Sequence, residues 1–368
     1  MNSPIDAPVE TPAQDAADAT ASSRPLIDIR TPEERQLGSP VGSVDMSFDE
    51  LLGRCREDGR FAARGGFVIC TEGARSKNAV LQLRSAGFQA FSSVSGGFDA
   101  WRDLGLPVSY PAGLDAAAAD RYARHLVMPG VGAKGQKKLR DSKILLVGLG
   151  GLNSPVALYL AAAGVGTLGL LDFDTVERSN LQRQILHGEH RLGEPKVDSA
   201  RDRLRDLNPD VETVIHSCRI TAANAGQMVK PWDIVVDGTD SFAARYALND
   251  ACIDQRKPLV YGAVMRFQGQ VSVFWPAIDS DAGSPCFRCL FPHEPRAADA
   301  PGCAQAGVLG VLPGIIGTLQ ATEALKLALG MGQPLTGRLL MVDALNLEFR
   351  RMGIPVIPGC PSCGSQGP

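Results

Sequence analysis

The segment at residues 143–164, KILLVGLGGLNSPVALYLAAAG, constrains the fold of this chain more than any other stretch. Its first apolar run predicts a buried strand, and the alanine-rich run after the glycines predicts a helix. Gly148, Gly150 and Gly151 lie at the turn between them, where a backbone without side chains can approach a phosphate at a helix N-terminus. Asp172, at the end of the next predicted strand, suits a ribose hydroxyl. The segment therefore predicts a Rossmann-like α/β domain that binds a nucleotide.

The polar residues that follow this segment separate two kinds of nucleotide. The glycine turn fits a dinucleotide as well as ATP, although Asn153 replaces the last glycine of the dinucleotide fingerprint. Cationic and amide side chains farther along suit a triphosphate, and an aspartate suits a magnesium ion. These residues are Asn180, Arg183, Gln184, Lys196 and Asp240. They favour ATP with Mg²⁺ over two alternatives: a solvated charged surface, and an NAD-dependent oxidoreductase with structural zinc.

The composition excludes several classes of function. With 37 basic against 40 acidic residues and a pI near 6.0, the chain has no charge excess that favours nucleic acid or an anionic membrane. Its apolar runs are interrupted before they reach the roughly 18 residues of a membrane span. Residues 1–23 carry acids, scattered prolines and no base, which predicts a disordered acidic tail rather than a signal peptide. We expect a cytoplasmic protein with small, specific partners.

The strand and helix patterns predict two α/β domains in series. Short apolar strands alternate with helical stretches over residues 24–110, which predicts a small domain with a mainly parallel sheet. Residues 111–119, PAGLDAAAA, predict a linker. A longer alternation then covers residues 120–368.

Cys70 lies at a predicted strand-to-helix turn in the first domain, within GFVICTEGARSKNAVLQL at residues 66–83. The positive end of a helix and its free amides favour the thiolate form of a cysteine, and Arg75 adds a positive charge. The loop from Cys70 to Ser76 therefore predicts an exposed, reactive thiol. The spacing alone also fits an inert core cysteine.

The remaining cysteines point to metal chemistry. Nine cysteines in a chain of this length predict thiol and metal chemistry in a reducing compartment rather than a disulfide scaffold. The pairs CFRC and CPSC suit tetrahedral coordination of a structural Zn²⁺ with no open position. Their thiols are Cys286, Cys289, Cys360 and Cys363. Cys303 follows the segment FPHEPRAADAPG, where a mobile loop could carry a catalytic thiol.

The first domain resembles the rhodanese family of sulfurtransferases. The resemblance rests on LIDIRTPEER, on the C-x-x-G-x-R-S loop and on GGFDAW. It implies that Cys70 carries a persulfide sulfur. Glu72 places a carboxylate beside that sulfur, which favours a protein persulfide over free thiosulfate as the donor, because like charges repel.

The second domain resembles the MoeB and ThiF family, ATP-dependent activators of ubiquitin-like sulfur carriers and relatives of ubiquitin-activating enzymes. The resemblance rests on RYARHL, GLGGL, LLDFDTVERSNLQRQILH, GEPKVDSA, VVDGTD, RFQGQVSVF, CFRCLFP and CPSCG. It implies that Arg124 reaches the nucleotide of the partner in a homodimer, and that Cys303 matches a cysteine linked to the carrier in some members. The implied contacts to ATP and magnesium are Gly151, Asp172, Asn180, Arg183, Lys196 and Asp240. Asn153 departs from the usual glycine of this family.

Together the two resemblances imply a two-step reaction. The second domain adenylates the C-terminal glycine of a ubiquitin-like sulfur carrier, and the Cys70 persulfide attacks the adenylate to leave a thiocarboxylate. A cysteine desulfurase is the expected persulfide donor. An alternative ends in a thioester on Cys303, with the rhodanese domain as a non-catalytic docking module. Carriers of the molybdopterin, thiamine, cysteine and tRNA-thiolation pathways all fit this expectation. Sulfur delivery from Cys70 to the active site of the same subunit fits it as well as delivery to the active site of the partner subunit.

Overall fold

The computed structural model describes residues 7–21, 24–276, 284–294 and 307–364. The chain divides into two compact units, residues 1–136 and 137–368. Both contain a sheet with helices, which confirms the α/β prediction. Across the described ranges, every helix is too short or too polar to cross a membrane.

The first unit is built on a parallel sheet. Its strands are β1 (Glu10–Thr11), β2 (Leu26–Asp28), β3 (Ser39–Pro40), β4 (Val44–Asp45), β5 (Gly66–Ile69), β6 (Phe91–Val94) and β7 (Val108–Ser109). Five of them form the sheet in the order β1-β6-β5-β2-β4, and β3 pairs antiparallel with β7. The helices are α1 (Ala13–Ala21), α2 (Pro32–Arg35), α3 (Phe48–Glu57), α4 (Gly59–Arg64), α5 (Ala74–Ser85), α6 (Gly97–Asp103), α7 (Ala116–Arg121), α8 (Ala123–Leu126) and α9 (Gly132–Asp141), the last of which crosses into the second unit.

Apolar side chains cover both faces of this sheet. Along β2 and β5, Ile27 and Val68 join one core cluster, whereas Leu26, Phe67 and Ile69 join the other. A strand buried on both faces is expected to be apolar throughout, as the short runs of this domain are.

Residues 10–21 are ordered, so the prediction of a disordered tail over residues 1–23 is wrong for this part. β1 extends the sheet by pairing with β6, and Thr11 Oγ1 lies 2.6 Å from Ser92 Oγ. Helix α1 buries Ala13 and Ala16 in the core cluster that contains Trp101. Small alanine side chains let this helix pack closely against the core although its mean hydropathy is low. A prediction of disorder from composition does not detect such packing.

Residues 111–119, predicted to be a linker, pack onto the first unit. They contain a 3-10 turn at Pro111–Gly113 and the start of α7. Leu114, Ala118 and Ala119 join Tyr122 in a small core cluster against which Leu37 packs. The predicted boundary between residues 110 and 120 stays an expectation from the sequence, and the chain divides into its two compact units between residues 136 and 137.

The second unit has a mixed sheet of eight strands. They are β8 (Lys143–Val147), β9 (Thr167–Leu171), β10 (Glu212–His216), β11 (Ile234–Asp237), β12 (Leu259–Met265), β13 (Gln268–Phe274), β14 (Arg338–Asp343) and β15 (Glu348–Gly353). Their order is β10-β9-β8-β11-β12-β13-β14-β15, with β10 to β12 parallel and β12 to β15 antiparallel. The helices are α10 (Asn153–Ala162), α11 (Lys196–Leu207), α12 (Ala225–Val229), α13 (Phe242–Asp254), α14 (Phe287–Leu290) and α15 (Leu312–Leu329).

The strand order of this sheet reverses between β8 and β11. The chain runs outward from β8 through β9 to β10 and then returns to β11 on the other side of β8. In such parallel sheets, ligands bind outside the carboxyl ends of the strands where the order reverses. The topology therefore places a binding crevice beside the glycine turn that follows β8.

A buried ion pair in the first unit explains the LIDIR motif. Asp28 accepts hydrogen bonds from Arg30 Nε at 3.0 Å and from Arg30 Nη2 at 2.7 Å. Both side chains are buried, and the Arg30 guanidinium lies 3.9 Å from the centroid of the Phe98 ring. The pair joins the end of β2 to the start of α6.

Replacing Arg30 with alanine leaves the Asp28 carboxylate buried without its cation. We expect Arg30→Ala to lower the free energy of unfolding of the first unit by about 3–5 kcal/mol. Hydrogen exchange of peptides from β2, β5 and β6, followed by mass spectrometry, measures this change. Arg102→Ala, which breaks the exposed 3.4 Å pair with Asp99, is the control and should change it by less than about 1 kcal/mol. Equal loss of protection in both variants would contradict the prediction.

Candidate active sites

A cavity of about 590 Å³ lies at the carboxyl ends of β8, β9 and β11, in the crevice that the strand order predicts. Its wall includes backbone from the glycine turn, several carboxylates and four cationic side chains. The residues predicted from the sequence that line it are Gly148, Gly150, Gly151, Asp172, Asn180, Arg183, Gln184, Lys196 and Asp240. The fold thus brings these nine residues together, and their roles toward a nucleotide stay predictions.

The glycine turn is fixed by backbone geometry and by one carboxylate. Gly148 has a φ of +79°, and a Cβ there would lie 3.0 Å from Gly238 O, so only glycine fits without strain. Asp172 Oδ2 accepts the Leu149 N–H at 2.6 Å, and its Oδ1 accepts the Asp174 N–H at 2.8 Å. The carboxylate therefore holds the turn and still has lone pairs toward the cavity.

Asn153 supports the turn in place of the usual glycine. Its Nδ2 donates to Val147 O at 3.0 Å and to Gly148 O at 2.7 Å, and the side chain is fully buried. Gly238 leaves room for it, because a Cβ there would lie 2.5 Å from Asn153 Nδ2. The amide thus ties the start of α10 to the end of β8.

The two cations predicted from the sequence, Arg183 and Lys196, are already oriented by neighbours. Lys196, at the start of α11, is buried and places Nζ 3.0 Å from Asp174 Oδ2. Arg183 Nη2 donates to Asn180 Oδ1 at 2.9 Å. Positive groups held in place are suited to stabilise charge that develops on phosphate.

A second polar network holds the loop that carries Asp240. Asp237 is fully buried, and its Oδ1 accepts from Thr239 N at 2.8 Å and from Thr239 Oγ1 at 2.7 Å. Arg245 Nη2 donates to Thr239 O at 2.7 Å. Burial raises the pKa of Asp237. Sequence reasoning missed Asp237 and Arg245, although VVDGTD shows two aspartates and only the second was singled out.

Asp240 is the exposed carboxylate of this loop. It lines the cavity beside the glycine turn, and carboxylate oxygen is the ligand type that Mg²⁺ takes when it also binds substrate phosphates. The residues present therefore fit a magnesium ion at Asp240.

Phe173 and Arg219 form part of the cavity rim, and sequence reasoning missed both. The Phe173 side chain is 47% exposed, and the Arg219 guanidinium lies 3.7 Å from the ring centroid. The only sequence signal is position, since Phe173 follows Asp172 directly and Arg219 follows β10.

Four cysteine thiols of the second unit form a cluster. Cys286, Cys289, Cys360 and Cys363 have all Sγ atoms within 4.8 Å of one another. Cys286 Sγ lies 3.6 Å from Cys360 Sγ, and Cys289 Sγ lies 3.5 Å from Cys363 Sγ. Four sulfurs at Zn–S distances of about 2.3 Å in a tetrahedron are about 3.8 Å apart. The cluster is therefore compatible with zinc.

The thiol chemistry of this cluster is compatible with a bound cation. Burial raises the pKa of the Cys286 thiol to about 12 and also raises the pKa of Cys363. Burial by itself also raises the pKa of Cys360, but hydrogen bonds from the Cys363 and Ser362 backbone and from neighbouring thiols lower it to about 7. A bound divalent cation offsets the effect of burial and deprotonates coordinating thiols. The cysteines in the described ranges are free thiols.

Cys70 lies in the predicted loop of the first unit, between β5 and α5. Its Sγ accepts the N–H groups of Gly73 and Ser76, both at 3.2 Å. The amides therefore wrap around the sulfur as expected. The thiol is only 1% exposed, so the expectation of an exposed thiol is wrong. The loop covers the sulfur because the N–H groups of Gly73 and Ser76 point toward Cys70 Sγ and hydrogen-bond to it.

Arg75 does not bond to the sulfur in this structure. It donates to Glu34 and, at 3.1 Å, to Thr71 Oγ1. Burial by itself raises the pKa of Glu34, but hydrogen bonds from Arg75, Thr71 and the Thr31 backbone lower it to about 2. The guanidinium is thus held at the outer side of the loop.

Two further sequence predictions, for Arg124 and Cys303, stay untested. Arg124 is an exposed residue of α8 in the first unit, and its contact with a partner's nucleotide stays a prediction. Cys303 lies outside the described residues.

Comparison with known families identifies the chain. The model described as the ThiF family matches residues 122–362, and the model described as a rhodanese-like domain matches residues 12–104. The chain therefore belongs to the ThiF family and carries a rhodanese-like domain.

Named relatives share nearly half of their residues with the matching part. A sulfur carrier protein adenylyltransferase of Thermus thermophilus is 48% identical over 248 residues, which are 67% of this chain and 91% of that protein. A SAMP-activating enzyme E1 of Haloferax volcanii is 47% identical over 69% of this chain and 92% of its own length. A probable adenylyltransferase/sulfurtransferase MoeZ of Mycobacterium tuberculosis is 44% identical over 69% of this chain, which spans 65% of MoeZ.

Solved structures show the same fold. The crystal structure of E. coli MccB has a TM-score of 0.59 and 18% identity, and covers 80% of this chain and 81% of MccB. Another, of E. coli MccB with ATP, has a TM-score of 0.57 and covers 79% of this chain and 82% of MccB.

Gly97 gives a test of the Cys70 loop. Its φ is +61°, and a Cβ there would lie 2.4 Å from Cys70 O and 2.5 Å from Thr71 O. We expect Gly97→Ala to displace the loop and to slow sulfur transfer from Cys70 to cyanide about 100-fold, measured as thiocyanate. Gly105→Ala is the matched control, because Gly105 has a φ of +67° but open space around its Cβ. Comparable loss in both variants would show backbone strain alone and contradict the prediction.

Proposed function

We propose that this chain is an adenylyltransferase and sulfurtransferase, which activates the C-terminal glycine of a ubiquitin-like sulfur-carrier protein with ATP and converts it to a thiocarboxylate. One observation carries the proposal: the same chain holds a nucleotide cavity of the ThiF family and a rhodanese-like cysteine loop. Relatives named sulfur carrier protein adenylyltransferase and adenylyltransferase/sulfurtransferase support both halves.

The second unit performs the activation. The carboxylate of the carrier attacks the α-phosphate of ATP, a bond forms from carboxylate oxygen to phosphorus, and pyrophosphate leaves. Arg183 and Lys196 offset the negative charge that gathers on the phosphates, and the glycine turn lets backbone N–H groups approach them. Mg²⁺, held by Asp240, supplies further charge neutralisation when bound. The cavity residues thus act by positioning and by charge.

The first unit supplies sulfur. The outer sulfur of a Cys70 persulfide attacks the carbonyl of the acyl-adenylate, a carbon–sulfur bond forms, and AMP leaves. The product is an acyl disulfide on Cys70, and a second thiol then cleaves its S–S bond to release the thiocarboxylate and form a disulfide. The amides of Gly73 and Ser76 stabilise negative charge on Cys70 Sγ through its 3.2 Å hydrogen bonds.

The proposal includes the setting of the reaction. The persulfide comes from a donor protein such as a cysteine desulfurase, because Glu72 is exposed beside the loop and disfavours free anionic donors. The chain works in the cytoplasm as a homodimer in which Arg124 reaches the partner's nucleotide. A structural Zn²⁺ joins the four clustered cysteines.

The proposed reaction is tested by intact mass. Carriers of the molybdopterin and thiamine type that end in Gly-Gly are incubated with the full chain, ATP, Mg²⁺, a persulfide donor and a thiol reductant. We expect one carrier to exchange an oxygen for a sulfur. Cys70→Ala should abolish the gain of sulfur by the carrier but keep the exchange of pyrophosphate into ATP. Asp240→Ala should lower the rates of both reactions at least about 100-fold.

Other outcomes of this experiment select among the alternatives. Sulfur gain that survives Cys70→Ala would make the rhodanese-like domain a docking module. A carrier adduct on the enzyme that a thiol reverses, lost in Cys303→Ala, would favour the thioester mechanism. NAD binding without ATP binding would contradict adenylation altogether.

The zinc assignment has its own test. We expect about one zinc per chain by elemental mass spectrometry, and background levels in Cys360→Ser together with a lower thermal midpoint, because structural zinc contributes folding free energy. Cys252→Ser is the control, since Cys252 is buried outside the cluster. Full zinc content in Cys360→Ser would remove the assignment.

A further inference from the structure

The hydroxyl of Ser93, on β6, lies behind the Cys70 loop and has no part in the reaction described above. Ser93 and Ser76 are both fully buried, and their Oγ atoms lie 2.8 Å apart. Ser76 Oγ in turn lies 3.3 Å from Cys70 Sγ. Two hydroxyls in a row therefore connect the central sheet to the thiol.

The Ser76 hydroxyl has one proton and two acceptors for it. Gly73 O lies 3.0 Å away on one side, and Cys70 Sγ lies on the other. Gly73 O also accepts the Lys77 N–H at 3.0 Å, so it keeps a partner without Ser76. When the thiol loses its proton, the sulfur becomes the stronger acceptor, because it is charged. The Ser76 O–H then turns to the sulfur and gives it a third donor beside the two amides.

Ser93 can donate to Ser76 Oγ in both arrangements. A hydroxyl that accepts one hydrogen bond donates a stronger one, because the chain polarises. We propose that Ser93 is a positioning residue for sulfur transfer: its hydroxyl directs the Ser76 O–H toward Cys70 Sγ and so stabilises the thiolate. The inference rests on the proposed function, in which Cys70 must be anionic to take up sulfur.

The step that this hydrogen-bond chain assists is persulfide exchange. The Cys70 thiolate attacks the outer sulfur of the donor persulfide, and a bond forms between Cys70 Sγ and that sulfur. The S–S bond of the donor breaks, and its electron pair leaves on the donor thiolate, which takes up a proton from water. Sulfur moves without an external oxidant or reductant.

The charged groups around the loop do not replace this donor. Each is paired with another group or exposed, and within the described ranges the hydrogen bonds to Cys70 Sγ come from Gly73 and Ser76. These charged groups are Asp28 with Arg30, Glu34 with Arg75, Glu10 with Lys77, Asp99 with Arg102, and Glu72.

The test measures the ionisation of Cys70 in the full chain. Iodoacetamide labels the protein over a range of pH, and mass spectrometry quantifies the peptide that contains Cys70. We expect Ser93→Ala to lower the labelling rate about three- to tenfold near neutral pH and to leave the plateau at high pH unchanged. Persulfide loading from glutathione persulfide should slow by the same factor. Ser92→Ala is the matched control, because Ser92 is equally buried on β6 and bonds Thr11 instead.

A double-mutant cycle separates positioning from general damage. In the Ser76→Ala background, Ser93→Ala should have no further effect, since Ser93 acts through Ser76. An equal effect in that background, or a pH profile like that of Ser92→Ala, would overturn the inference. The labelling result does not depend on the carrier. If the Ser93→Ala profile is unchanged while thiocarboxylate forms normally, this inference alone is removed. If the profile shifts but no thiocarboxylate forms with the wild-type chain, the proposed function is removed and the role of Ser93 in thiolate formation is kept.

Discussion

The cavity proposed to bind ATP depends on one close approach, between the backbones of Gly148 and Gly238 at the ends of the adjacent strands β8 and β11. A Cβ at Gly148 would meet Gly238 O at 3.0 Å, and the space beneath is filled by the Asn153 amide. Because no side chain separates the two turns, the glycines that follow β8 and the loop of Asp240 line the same cavity. The carboxylates and cations around it are arranged on this frame.

The Cys70 loop uses the same device in the first unit. Gly97 lets the start of α6 touch the loop backbone, and the Phe98 N–H donates to Cys70 O at 2.8 Å. Helix α6 thus fixes the backbone of the loop, while the amides of the loop itself hydrogen-bond to the sulfur. In both units a glycine contact between two segments fixes the position of a reactive group more firmly than one loop could alone.

Much of both sites could be predicted from the sequence, because parallel strands place their carboxyl ends at one edge. That rule gathers Asp172 and Asp240 beside the glycine turn, and C-x-x-C spacing brings together the two cysteines within each pair. What the sequence does not show are partners distant along the chain. Arg75 turns to Glu34, 41 positions away, and Asp237 forms its network with Arg245 only once α13 packs on the sheet. The folding of residues 10–21 likewise depends on residues distant along the chain, since β1 pairs with β6 and α1 packs in the core cluster that contains Trp101.

The two C-x-x-C pairs have a topological consequence. Cys286 and Cys360 are 74 positions apart and meet in one cluster. With a metal bound there, the intervening chain, including α15, β14 and β15, becomes a closed ring, and such closure restricts the unfolded chain most when the loop is long. A single cut of the backbone inside this ring leaves both pieces attached to the same ion.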